Sequence, residues 1–199
     1  MTLVGIVLFD DVEELDVVGP YEVFAWAADL RSDLLSVVLV AEADKPVRCH
    51  KRLQILPHTT FATCPPLDVI LVPGGYGTRR QGGNADLVEF VARQAQGCTW
   101  VASVCTGLRI LAAAGLAVGK RVTTYHGAVQ ELRAGGKCGR VLDDVRFVRD
   151  GRLVTSAGVS AGIDMALWLV GQIADDPAFA RDVQRGIEYF PAPPYSAEV

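Results

Sequence analysis

Cys105 lies in Ser103-Val-Cys105-Thr-Gly107, where an apolar run over residues 99–104 turns directly into a Leu/Ala-rich helical stretch. A side chain on a sharp turn between a buried strand and a helix is pushed out of the sheet edge. This is the layout of a nucleophile elbow, with Cys in the place of Ser. Gly107 leaves room for the helix to approach the strand closely. A free thiol has a pKa near ~8.5, and the amides of a helix's first turn can lower it into a range of roughly 3.5–7.5. The sequence therefore predicts a reactive thiolate at Cys105. Cys49, Cys64, Cys98 and Cys138 lack this setting and read as small buried residues.

Two other loops follow apolar runs. Pro73-Gly74-Gly75-Tyr76-Gly77 ends the run over 68–72. Paired glycines let the backbone approach a ligand and aim amides at it, which makes Gly74 and Gly75 candidate oxyanion donors with Tyr76 beside them. The acidic loop over 10–16 carries Glu13, Glu14 and Asp16. Acidic loops are usually solvated surface. Asp16 sits between Leu15 and Val17-Val18, so a second reading is a carboxyl drawn into an apolar setting, with a raised pKa and a proton to trade. Of the three histidines, His50 and His58 fall in an irregular segment and read as structural. His126 follows Thr123-Thr124-Tyr125 at a strand end, from which it can reach the cleft.

The elements that must position these loops are short apolar runs alternating with helical patterns. Strands are expected at 3–9, 34–41, 68–72, 99–104 and 121–124, with a hairpin or short strands over 44–63. A further hairpin pairs 145–148 with 153–155 around Arg149-Asp150-Gly151-Arg152. Helices are expected from Gly19-Pro20 onward, over 85–96 with Asn84 as N-cap, after Cys105, and over 162–173. Strands alternating with helices predict an α/β fold, with an open, mostly parallel sheet covered on both faces. Ligands of such sheets bind outside the carboxyl ends of the strands, where the three loops fall. One domain is expected to span residues 1–199, with no linker or repeat.

Composition agrees. Of 199 residues, 50% are hydrophobic and 21% charged, and the formal net charge is −4, so a packed core is expected and disorder is not. The acidic balance argues against nucleic acid and anionic membrane as partners. No apolar run reaches the ~18 residues of a membrane span, and no basic region precedes an apolar one at the N-terminus as in a signal peptide. The five cysteines are irregularly spaced, so neither a disulfide framework nor a zinc site is expected. These features predict an intracellular, cytoplasmic protein. No glycine-rich phosphate loop follows a strand, and no cofactor or metal is expected.

Further segments carry a resemblance. They are V-G-I-V-L-F-D-D-V-E-E-L-D-V-V-G-P-Y-E-V-F at 4–24, L-V-P-G-G-Y-G-T-R at 71–79 and S-V-C-T-G at 103–107. A-A-G-L at 113–116, T-S-A-G-V-S-A-G-I-D at 155–164 and G-I-E-Y-F-P-A-P-P-Y at 186–195 complete the set. Together they resemble the DJ-1/PfpI (ThiJ/PfpI) superfamily, and within it the isonitrile hydratase-like branch. The resemblance implies a flavodoxin-like sandwich (class I glutamine amidotransferase-like), usually a homodimer, without a cofactor. It also implies a small-molecule substrate, with Cys105 as nucleophile, Asp16 as its acidic partner, Thr106 as a catalytic threonine and Gly75 offering an amide near the thiol. The implied reaction is hydration of an isonitrile to an N-substituted formamide. The chain departs from the branch at Tyr125-His126, where T-T-H-W is usual, and at Arg109, where an apolar residue is more common. Arg109 reads as reaching solvent or an acid elsewhere.

Other chemistries share this resemblance. PfpI-type peptidases and amidases carry His directly after the nucleophile, and Thr106 argues against them. Glyoxalase or deglycase enzymes acting on dicarbonyls, and a redox or stress sensor in which Cys105 is oxidised, both fit the elbow and its acid. The ligand-sensing domain of AraC-type regulators is the remaining reading. The sequence ends at Val199 without a helix-turn-helix, and with the negative charge this argues against DNA binding.

Overall fold

The computed structural model describes residues 1–191. The end of the 186–195 motif lies outside the described residues. Among the described residues, eleven strands and seven helices follow one another. They begin with β1 (Thr2–Val7), α1 (Glu14–Leu30), β2 (Leu35–Ala41), β3 (Val47–Arg48), β4 (Gln54–Ile55) and β5 (Thr59–Thr60). Next come β6 (Val69–Val72), α2 (Thr78–Gln81), α3 (Ala85–Gly97), β7 (Trp100–Val104), α4 (Leu108–Ala113) and β8 (Arg121–Thr123). The last are α5 (Val129–Ala134), β9 (Arg140–Leu142), β10 (Phe147–Asp150), β11 (Leu153–Ser156), α6 (Ala161–Ala174) and α7 (Pro177–Gly186).

Seven strands form one sheet in the order β10-β11-β7-β6-β1-β2-β5. All its neighbours run parallel except the β10–β11 hairpin at one edge. The continuous apolar runs of β1, β6 and β7 occupy interior positions, as strands buried on both faces must. Helices α1, α6 and α7 pack against one another, while α3 and α4 form a second group against β6 and β7. The mostly parallel sheet flanked by helices is the architecture that the alternating pattern predicts. Phe24, Phe90, Ile6, Leu71, Leu108 and Met165 are fully buried in its core.

Some boundaries differ from the sequence reading. Helix α1 starts at Glu14, five residues before Gly19, so Pro20 lies inside it and Asp16 in its first turn. A proline has no N–H to give the carbonyl four residues back, here that of Asp16. The helix accepts this near its N-terminus, where Glu14 and Asp16 also favour the dipole. Pairing in the 44–63 segment is an antiparallel hairpin, β3 with β4, and β5 adds to the sheet edge. Strand β8 leaves the main sheet and pairs in parallel with β9, which the sequence reading missed along with α2, α5 and α7. Asn84 caps α3 as expected, accepting from the N–H groups of Asp86 and Leu87 at 3.1 and 3.4 Å.

Candidate active site

Strand β7 delivers Cys105 at its carboxyl end, and there the backbone turns sharply. Cys105 has φ +56°, a left-handed conformation that costs a non-glycine residue on the order of 1–3 kcal/mol. Surrounding contacts hold it in place. The Cys105 N–H donates to the Ala157 carbonyl at 3.0 Å, and the Cys105 carbonyl accepts from Thr124 Oγ1 at 2.7 Å. Gly107 permits the turn, because a Cβ there would lie 2.1 Å from the Val72 carbonyl oxygen. A short 3-10 turn over Cys105–Gly107 then leads into α4.

Asp16 comes from the first turn of α1 and is fully buried. Its Oδ2 accepts the Gly74 N–H at 2.8 Å, while Oδ1 is buried without a hydrogen-bond partner of good geometry. Burial pushes the Asp16 carboxyl up to about 7. The Gly74 amide opposes that rise, the Glu13 charge adds to it, and the Cys105 thiol and Val159 amide oppose it more weakly. Gly74 has to be glycine: a Cβ would meet the Thr106 nitrogen at 2.5 Å, Cys105 Cβ at 2.7 Å and Asp16 Oδ2 at 2.8 Å. Val159, a β-branched residue at φ +51°, turns its amide to the same two side chains.

The thiol departs from the sequence expectation. Burial pushes Cys105 up to about 12, and the adjacent Asp16 carboxylate pushes the same way. The Thr106 N–H and hydroxyl and the Val159 amide pull it back without prevailing. One 3-10 turn ahead of a six-residue helix does not offset desolvation plus a neighbouring anion. The thiol and the carboxyl therefore titrate as a pair that loses its first proton near pH 7 and retains the second above that.

Thr106 is held by the glycine loop. Its Oγ1 accepts the Gly75 N–H at 3.0 Å and lies 3.1 Å from Thr78 Oγ1, which donates to the Gly75 carbonyl at 2.8 Å. Both glycine amides, expected to face a substrate oxyanion, are thus spent inside the protein. Gly74 holds Asp16 and Gly75 holds Thr106. Arg109 donates to Thr78 Oγ1 at 3.2 Å and grips Glu131 through Nε and Nη2 at 2.9 and 2.6 Å. Its acid is Glu131, and the side chain is mostly buried rather than solvated.

These groups open into a cavity of about 360 Å³. Cys105, Thr106 and Gly75 contribute to its lining, with Tyr76 and Tyr125 as aromatic walls. The Tyr125 ring fits against Gly127 and Gly158, where an added Cβ would meet it at 2.8 and 2.6 Å. His126 lines a separate hollow with Thr123 and Arg146, so of the Tyr125-His126 pair only Tyr125 reaches the cavity. His50, read as structural, does line it, stacked on Tyr76 at 4.3 Å. The β3–β4 hairpin brings it there: the His50 N–H donates to the Val12 carbonyl at 2.8 Å. Thr78 and Val159 are further site residues that the sequence reading does not single out, although both lie within the segments that carry the family resemblance.

A parallel α/β sheet whose inner strand presents a strained cysteine to a buried carboxyl defines an elbow-cysteine α/β protein. The DJ-1/PfpI family profile matches residues 3–172, and the chain belongs to that family. It is 41% identical over 197 residues to an isonitrile hydratase from Pseudomonas putida, covering 98% of this chain and 81% of the relative. It is 26% identical over 163 residues to a glutathione-independent glyoxalase from Caenorhabditis elegans, covering 81% of this chain and 82% of that one. A crystal structure of a ThiJ/PfpI family protein from Pseudomonas syringae superposes with a TM-score of 0.87 at 32% identity, covering all of this chain (100%) and 79% of that one. Among the described residues no helix is long and apolar enough to cross a membrane.

Proposed function

We propose that the protein is an isonitrile hydratase, adding water to an isonitrile to give an N-substituted formamide. The observation that carries this reading is the one-proton pair: a buried carboxyl near pH 7 beside the Cys105 thiol. Kinship with the Pseudomonas putida enzyme supports it, as does Thr106 after the cysteine.

The terminal carbon of an isonitrile needs both a proton and a nucleophile, and the pair supplies both. With the proton on Asp16, Cys105 Sγ forms a bond to that carbon while Asp16 protonates it, leaving a thioimidate and a carboxylate. The Thr106 hydroxyl stabilises sulfur as it bears charge. Asp16 then takes a proton from water as the water oxygen bonds to the same carbon, and passes that proton to nitrogen. The new hydroxyl returns a proton to Asp16, the C–S bond breaks, and formamide leaves with the pair restored. Atoms and charge balance without a further reactant.

The test follows N-cyclohexylformamide from cyclohexyl isocyanide with wild type and Asp16→Asn, and D-lactate from methylglyoxal in parallel. Formamide that depends on Asp16 is expected. Lactate without formamide would move the site to the dicarbonyl reading.

A further inference from the structure

The rim of the cavity differs in charge from the rest of the chain. Lys51, Arg79 and Arg109 line it against the acid Glu13, in a protein of net charge −4. Two of these cations are already neutralised: Lys51 pairs with Glu13, and Arg109 with Glu131. Arg79 makes no ion pair within 4 Å among the described residues, although its charge helps to hold the Glu131 carboxyl, already gripped by Arg109, below its usual range. Its guanidinium lies 5.5 Å from the centre of the Tyr76 ring, the same ring on which His50 stacks at 4.3 Å. A guanidinium at this distance is attracted to the face of an exposed aromatic ring, and no side-chain hydrogen bond among the described residues occupies the Arg79 N–H groups.

Reaction at Cys105 fixes one end of the substrate at the cavity floor. Its substituent then occupies the cavity that buried Cys105 shares with Tyr76, Tyr125 and the solvent-exposed Arg79. We propose that Arg79 selects isonitriles carrying a carboxylate, bound through the guanidinium at the rim while the isonitrile carbon meets Cys105. This rests on the hydratase reading and names its substrate class. A planar carboxylate accepts two parallel N–H donors from arginine, a match that a neutral substituent lacks. The hydration is otherwise unchanged, and its product is a formamido acid.

The test compares 4-isocyanobutanoate with its methyl ester, using wild type, Arg79→Gln and Arg79→Lys. Wild type should favour the acid over the ester in kcat/KM by about tenfold, the scale of one charge-assisted contact at a partly exposed site. Arg79→Gln should bring that ratio to about one through KM for the acid, and Arg79→Lys should fall between. A ratio near one in wild type, or the same ratio in Arg79→Gln, overturns the proposal. If no isonitrile yields formamide, the hydratase reading fails. Calorimetry of 4-formamidobutanoate and its methyl ester on Cys105→Ala, with and without Arg79→Gln, then judges the anion site alone. Preference for the acid that disappears with Arg79→Gln upholds it, and equal binding overturns it.

Discussion

Strand β7 has a cysteine at each end, and the two ends behave differently. Cys98 precedes the strand in ordinary extended backbone, φ −69°, and Cys105 follows it at φ +56°. Burial pushes both thiols up to about 12. Cys98 donates to the Leu67 carbonyl at 3.2 Å and is sealed in the core. Cys105 faces a cavity, a threonine hydroxyl and a carboxyl that titrates near neutrality. An elevated thiol pKa is thus shared by an inert cysteine and a candidate nucleophile. The distinguishing feature is a neighbour that can accept the thiol proton and return it to substrate.

The sharpest way to break the comparison is to remove each thiol. Cys105→Ala should lower cyclohexyl isocyanide hydration by at least about 10⁴-fold, and Cys98→Ala should leave it within about twofold, as read from initial rates of formamide release. Asp16→Asn keeps the shape of the site but removes its proton carrier, so kcat should fall by roughly 10²–10⁴-fold.

The same substitution has a consequence for stability. The Asp16 pKa rises on folding from 3.8 to about 7, so folding takes up a proton. That contribution is fully present below about pH 4 and is lost as pH rises through about 7. Above that, folding carries an ionised buried carboxyl at a cost of up to about 4 kcal/mol. Asp16→Asn should therefore gain stability relative to wild type between pH 4 and pH 8, as measured by urea unfolding at both. Cys98→Ala should show no such pH-dependent difference. The smallest effect is expected for Thr106→Val, which strands the Gly75 N–H and removes the hydroxyl donor to sulfur. A kcat loss of roughly 10–100-fold should follow, measured with the same substrate.

The elbow was legible in the sequence because it is local: an apolar run, Cys105, then Gly107 before a helix. The parallel sheet was legible for the same reason, through continuous apolar runs. The start of α1 was not, because Gly19-Pro20 imitates a helix opening; the acids at Glu14 and Asp16 were the signal that it begins earlier. His50 reaches the cavity only through the folded-back β3–β4 hairpin, a tertiary fact that spacing does not carry. The direction of the Cys105 shift was missed because the helix N-terminus is visible in sequence, whereas burial and the approach of Asp16 are not. Thr78 and Val159 lay in plain view, but their roles depend on an interior hydroxyl network and a strained amide.

The most direct test of the one-proton pair is the pH dependence of kcat/KM for cyclohexyl isocyanide. Protonation of both groups silences the pair, so the rate should rise through an inflection near pH 7 and hold level to pH 9. In Asp16→Asn the residual rate should lack that inflection. A profile flat from pH 5 to pH 9 in wild type, or an inflection near pH 7 that survives Asp16→Asn, would contradict the assignment of Asp16 as the group that holds and returns the proton.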